Sequence, residues 1–204
     1  MDGRMPETPI FGMQPTGELQ TTFFRTSCKH LADSLFHERG SRFCEMRPIP
    51  TWKDAFSKYI TPFTEEVMLP FGNQWCVYTN NGRGGSNLYF ALAHKLSIFA
   101  VRFAFAQRNS KYPYDHVCMC IADGTTGEVI HRVVEVATEG RKWEFQQGGT
   151  PMAFEDTSRY SSYRVQERLD LPLLSQYASA LGVELLISDD LGPGFMIADR
   201  DQRG

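Results

Sequence analysis

From Ile98 to Ala106 the chain alternates without interruption. Phe99, Val101, Phe103 and Phe105 fall on one side, and Ala100, Arg102, Ala104 and Ala106 on the other. A period of two belongs to a β-strand with two unlike faces. The next forty residues extend that strand into a sheet. His116–Ala122 reads as a second strand, and Asp123-Gly-Thr-Thr-Gly127 as a hairpin connection into Val129–Val136. A turn at Glu139-Gly140 then leads to Lys142–Gln146, where Trp143 and Phe145 alternate with charged or polar residues. Strands joined by such short links predict an antiparallel meander. Trp75–Thr79 adds a buried strand upstream, and Val183–Ile187 a short last one.

Helical spacing surrounds this block. Phe24, Cys28, Leu31 and Leu35 form one stripe, predicting a helix from Thr22 to Arg39 that stops at Gly40. Thr51 and Asp54 resemble a capping box before Trp52, Ala55, Phe56, Tyr59 and Ile60. Pro62 and Pro70 bracket a short acidic turn. Ser86 or Asn87 caps a helix carrying Leu88, Leu92 and Leu96. Asp156 or Thr157 starts a helix with Tyr160, Tyr163 and Arg164. Asp170 starts another, with Leu174, Tyr177, Ala178 and Leu181, closed by Gly182. The expected fold is therefore α+β: a largely antiparallel sheet of four to five strands with helices packed on it, after an N-terminal helical segment. Residues 1–18 read as a flexible arm, 19–188 as a single domain and 189–204 as a flexible tail.

A formal charge of −3 over 204 residues offers no broad attraction for a polyanion, which argues against nucleic-acid binding. No uncharged apolar run reaches the ~18 residues of a spanning helix, and the first residues do not resemble a secretory signal. Five cysteines in a chain of this size read as reduced thiols, so a cytoplasmic protein is expected.

Three constellations can carry chemistry. The first is the loop Asn80-Asn81-Gly82-Arg83-Gly84-Gly85-Ser86-Asn87, between a strand and a helix. Asn80, Asn81, Arg83, Gly84, Ser86 and Asn87 offer amides, hydroxyl and guanidinium to an anionic ligand, helped by a helix start. Its spacing matches neither nucleotide-binding glycine motif, so a plain β–α connection is the simpler reading. The second is His116, Cys118 and Cys120, which share one strand face. Alternate strand positions lie ~6.6 Å apart, too far for three in a row to meet one ion. Core thiols are expected there, with neither metal nor cofactor.

The third is Trp143, Glu155, Tyr160, Tyr163 and Arg164, joined by Arg168. An ion pair from Glu155 to the two arginines, wrapped by tyrosines, suits a bracket or an interaction surface better than an acid/base pair. No nucleophile elbow is present. With 15 Phe, 8 Tyr and 3 Trp and no reaction motif, the composition suits a protein-binding domain without catalysis, such as an inhibitor or immunity-type partner, in which a homodimer is also admissible. The alternative is a small-molecule enzyme or sensor holding an anion at 80–87.

Overall fold

The computed structural model describes residues 18–42, 44–50, 65–80, 88–108, 115–128, 130–140, 142–185 and 191–199. Among these, nine strands make one antiparallel sheet: β1 (Glu18–Phe24), β2 (Cys44–Ile49), β3 (Glu65–Phe71), β4 (Trp75–Asn80), β5 (Phe99–Ala106), β6 (His116–Asp123), β7 (Ile130–Glu139), β8 (Lys142–Gly148) and β9 (Gly194–Asp199). Their order across the sheet is β2-β9-β3-β4-β1-β5-β6-β7-β8. Three α-helices accompany them among the described residues: α1 (Cys28–Arg39), α2 (Leu88–Leu96) and α3 (Leu171–Ala180). The protein is thus mostly sheet. The expectation of four to five strands with helices packed on them is wrong by about half the sheet.

The meander β5–β8 follows the alternation that predicts it. In the β5–β6 register, Val101 pairs with Ile121, Arg102 with Cys120 and Ala104 with Cys118. Phe23, Val101, Phe103, Met119, Val134 and Val136 join one core on the first face, where Leu174 and Tyr177 of α3 pack. The second face carries Ala100 and its partner Ala122, and on these small residues lie Leu92 and Ala93 of α2. Ala100 and Ala122 therefore form a shallow platform for a helix. Gly124 completes the fit. A Cβ there would stand 2.2 Å from the Ala93 carbonyl oxygen, so the β6–β7 turn must be bare to let α2 end against it.

Four missed strands have physical reasons. In β1, Thr21, Thr22, Phe23 and Phe24 are all buried, so no alternation survives in the interior of the sheet. Thr22–Phe24 therefore belong to a strand, and α1 begins only at Cys28, capped by Ser27 Oγ, which accepts from the His30 N–H at 3.2 Å. Pro48 disguises β2, which is an edge strand where a missing N–H is tolerated. Pro70 disguises β3, read from sequence as part of a turn. Pairing between β3 and β9 stops at Met68, so the proline lies beyond the shared ladder. The last correction is β9. Gly194–Asp199, read as tail, sits between β2 and β3, and Arg39 at the end of α1 clamps Asp199 together with buried Glu66, the latter at 2.6 Å.

Smaller differences have similar causes. Val183–Leu185 form no strand. Asp156 starts a 3-10 turn, Thr157–Ser161, rather than an α-helix, and a second such turn covers Val165–Glu167. Asp170 does cap α3, accepting from the Leu173 N–H at 2.9 Å, a contact typically worth about 1 kcal/mol. The capping box at Thr51 and Asp54, with the helix after it, lies outside the described residues. No helix among the described residues is long and apolar enough to cross a membrane.

Candidate functional site

Two polar clusters grow from β7, one on each face. On the first face stands Arg132, opposite Ile121 and in line with Val134 and Val136. Its side chain and that of Glu155 are both 0% exposed. The Arg132 Nε donates to Glu155 Oε1 at 2.9 Å and Nη2 to Oε2 at 2.6 Å. Nη1 donates to the carbonyls of Gly148 and Gly149 at 3.0 and 3.1 Å, and Nη2 also reaches Gln147 Oε1 at 3.1 Å. Every guanidinium nitrogen is used. Glu155 is equally committed, accepting from the Met152 N–H at 2.8 Å and from the Tyr160 hydroxyl at 2.6 Å. Burial alone would raise the Glu155 pKa, yet the bonds from Arg132, Met152 and Tyr160 hold it below the usual carboxylate value. Burial and the neighbouring carboxylate push the Tyr160 hydroxyl far upward. Gly149, at φ +78°, leaves room for this loop: a Cβ there would stand 1.9 Å from the His131 carbonyl oxygen.

The second face holds a different set. His116, Cys118 and Cys120 of β6 point the same way, and the register places Glu135 directly across from Cys118. His116 Nε2 and Glu135 Oε1 are 2.8 Å apart. The two sulfurs are 3.3 Å apart. A separation of ~6.6 Å holds for backbone positions, whereas strand side chains lean along the strand. That lean brings the thiols together. Ligand atoms of His116, Cys118 and Glu135 all lie within 4.8 Å of one another.

Neighbours make the two thiols unlike. Cys118 is buried (7% exposed), while Cys120 is half-buried. The hydrogen bond from Cys118, then that from Tyr89 and the charge of Arg102, bring the Cys120 thiol down to about 7 against the opposing effect of burial. The same bond and burial push Cys118 well up. Tyr89 comes from the first turn of α2, and its hydroxyl lies 3.3 Å from His131 Nε2. Phe90 stacks its edge against the His131 ring at 5.1 Å between centroids. The His116 hydrogen bond holds Glu135 below the ordinary carboxylate value.

The residues named from sequence fare unevenly. Asn80 ends β4, where its Nδ2 donates to the Tyr78 hydroxyl at 3.3 Å. Asn81, Arg83, Gly84, Ser86 and Asn87 lie outside the described residues. Glu155 and Tyr160 do meet, but the cation between them is Arg132. Arg164 is exposed and pairs with Glu167 at 3.3 Å. Arg168 lies over the Phe145 ring at 5.4 Å and donates to the Ser162 carbonyl. Tyr163 is 98% exposed, and Trp143 is half-buried against the first-face core. Sequence did carry a sign of Arg132, a charge on the apolar register of its strand. Glu135 had none until the hairpin register was known. No family model, curated protein or solved structure matches the chain.

Proposed function

We propose that the chain works through Cys118 and Cys120 as a reversible dithiol–disulfide couple, with Cys120 as the attacking thiol. The observation that supports this is the 3.3 Å separation of the two sulfurs on one strand face. Unequal exposure divides their labour: the half-buried sulfur meets the substrate and the buried one resolves. In the reaction, the Cys120 thiolate attacks one sulfur of a substrate disulfide. That S–S bond breaks, a mixed disulfide forms and one substrate thiolate leaves. Cys118 then gives up its proton, attacks the Cys120 sulfur and expels the second substrate thiolate, which takes the proton. One substrate disulfide has become a thiol and a thiolate, and the Cys120 thiolate and Cys118 thiol have become one disulfide.

Alternate strand positions, ~6.6 Å apart, sit at the long end of the roughly 4.4–6.8 Å span a disulfide bridges. A bridge under that tension is easily reduced again, which suits cycling better than permanent stapling. Such cycling belongs in a reducing compartment, and a cytoplasmic location is part of the proposal. The test is trapping. Incubated with oxidised glutathione, the Cys118→Ser protein should hold a stable mixed disulfide on Cys120, and Cys120→Ser should hold none at this strand. Equal labelling of both variants would end the proposal.

A second reading keeps the binding role expected from composition. Tyr163 stands almost wholly in solvent between the two 3-10 turns, and an aromatic so placed suits contact with a protein partner. Cross-linking from position 163 should then capture one partner, lost in Tyr163→Ala, and an unchanged capture pattern would remove this reading.

A further inference from the structure

The second-face cluster has more donors than thiol exchange uses. His116 and Glu135 take no part in moving electrons between two sulfurs, yet they stand beside them, held to each other at 2.8 Å. We propose that His116 Nε2, Cys118 Sγ, Cys120 Sγ and Glu135 Oε1 form a binding site for a thiophilic divalent cation, for which zinc is the fitting ion.

Chemistry and placement both support this. One imidazole, two thiolates and one carboxylate are the donor types that zinc accepts in a four-coordinate shell. In a tetrahedral shell two donors bound at ~2.0–2.3 Å lie about 3.3–3.8 Å apart. His116 and Glu135 at 2.8 Å, and the two sulfurs at 3.3 Å, are already that close or closer. The ligand atoms of His116, Cys118 and Glu135 lie within 4.8 Å of one another, so the widest of these pairs closes by about 1 Å. Cys120 stands outside that group of three, and a turn about its χ1 brings its sulfur to the ion. An ion seated among them exchanges the His116–Glu135 hydrogen bond for two coordinate bonds.

All four donors sit on the adjacent strands β6 and β7. Rigid elements keep such geometry better than loops do. Outer contacts are also in place: Arg102 lies across from Cys120 in the β5–β6 register, and Tyr89 reaches from α2. The site shares its sulfurs with the dithiol reading but does not rest on it. Metal and disulfide compete for the same two atoms, whereas only the metal needs His116 and Glu135.

That difference makes the test. The reduced full-length chain is titrated with Co2+ and then Zn2+, alongside His116→Gln and Glu135→Gln. One equivalent of cobalt should bind with sulfur-to-cobalt charge-transfer absorption, and zinc should displace it. Each variant should lose at least the roughly 10–100-fold in affinity that even outer-shell changes cost. Both variants should still form the Cys118–Cys120 disulfide, so a failed metal site and a failed dithiol couple give different results. Absence of stoichiometric binding, or unchanged affinity in either variant, overturns the four-donor site. If a variant does not fold, X-ray absorption of the zinc-loaded wild type decides. Two sulfur with two nitrogen or oxygen ligands is the expected shell, and any other sulfur count contradicts it.

Discussion

Arg132 and Glu135 are three residues apart on one strand and live in opposite circumstances. On the first face, Arg132 and Glu155 are sealed from solvent with each donor and acceptor spoken for. On the second, His116, Cys120 and Glu135 are only partly covered around a buried Cys118, and His116 bonds to Glu135 as Cys118 does to Cys120. A buried charge must be saturated to be tolerated, and once saturated it has nothing left to offer a ligand. The half-covered cluster keeps lone pairs and exchangeable protons within reach of solvent. Structure is on one side of β7, and chemistry is proposed for the other.

Substitutions on the two faces should differ accordingly. Arg132→Ala should show the largest effect, since removing one partner of a buried pair leaves a stranded carboxylate and costs about 3–5 kcal/mol. Denaturant unfolding measures it, and a loss under about 1 kcal/mol would mean the bracket is ornamental. Acid separates charge from packing at the same pair. The Glu155 carboxyl is held below its unfolded value, so its contribution to stability is complete above that value and disappears as pH falls through the folded one. The stability gap between wild type and Glu155→Gln should therefore be widest near neutrality and narrow steadily below about pH 4.5. A gap that stays constant with pH, followed by thermal melts, would show that the carboxylate's charge is idle.

Smallest should be the effect of Glu135→Gln on stability. The residue is half-buried and bonded to the half-buried ring of His116 at 2.8 Å, so the loss should stay within about 1 kcal/mol. A loss as large as that of Arg132→Ala would erase the distinction between the faces.

The strands that could be read from sequence are those with one face unlike the other. In β5 phenylalanines alternate with alanines, and β6–β8 are separated by glycine-bearing turns that set their limits. Where a strand is covered on both faces, as Thr21–Phe24 are, its residues lose their period, and neighbouring Cys28 and Leu31 lend them a false helical one. Pro48 and Pro70 hid two more strands because what excuses them, a sheet edge and the end of a ladder, is a property of the partners. The candidate site was half legible. His116, Cys118 and Cys120 stood out on their strand, but spacing along the backbone hides how far side chains lean toward one another. Glu135 belongs to the cluster only through register, which fixes cross-strand neighbours that no local spacing contains.

Peptide mapping of the oxidised wild-type protein by mass spectrometry puts the proposed chemistry of the β6–β7 cluster to the proof. After equilibration with an oxidised and reduced glutathione buffer and alkylation, Cys118 and Cys120 should be joined within one β6 peptide while Cys28, Cys44 and Cys76 carry the alkyl group once unfolded. Both β6 cysteines alkylated at every redox ratio would contradict that chemistry, and would leave the cluster as much a matter of packing as Arg132 and Glu155.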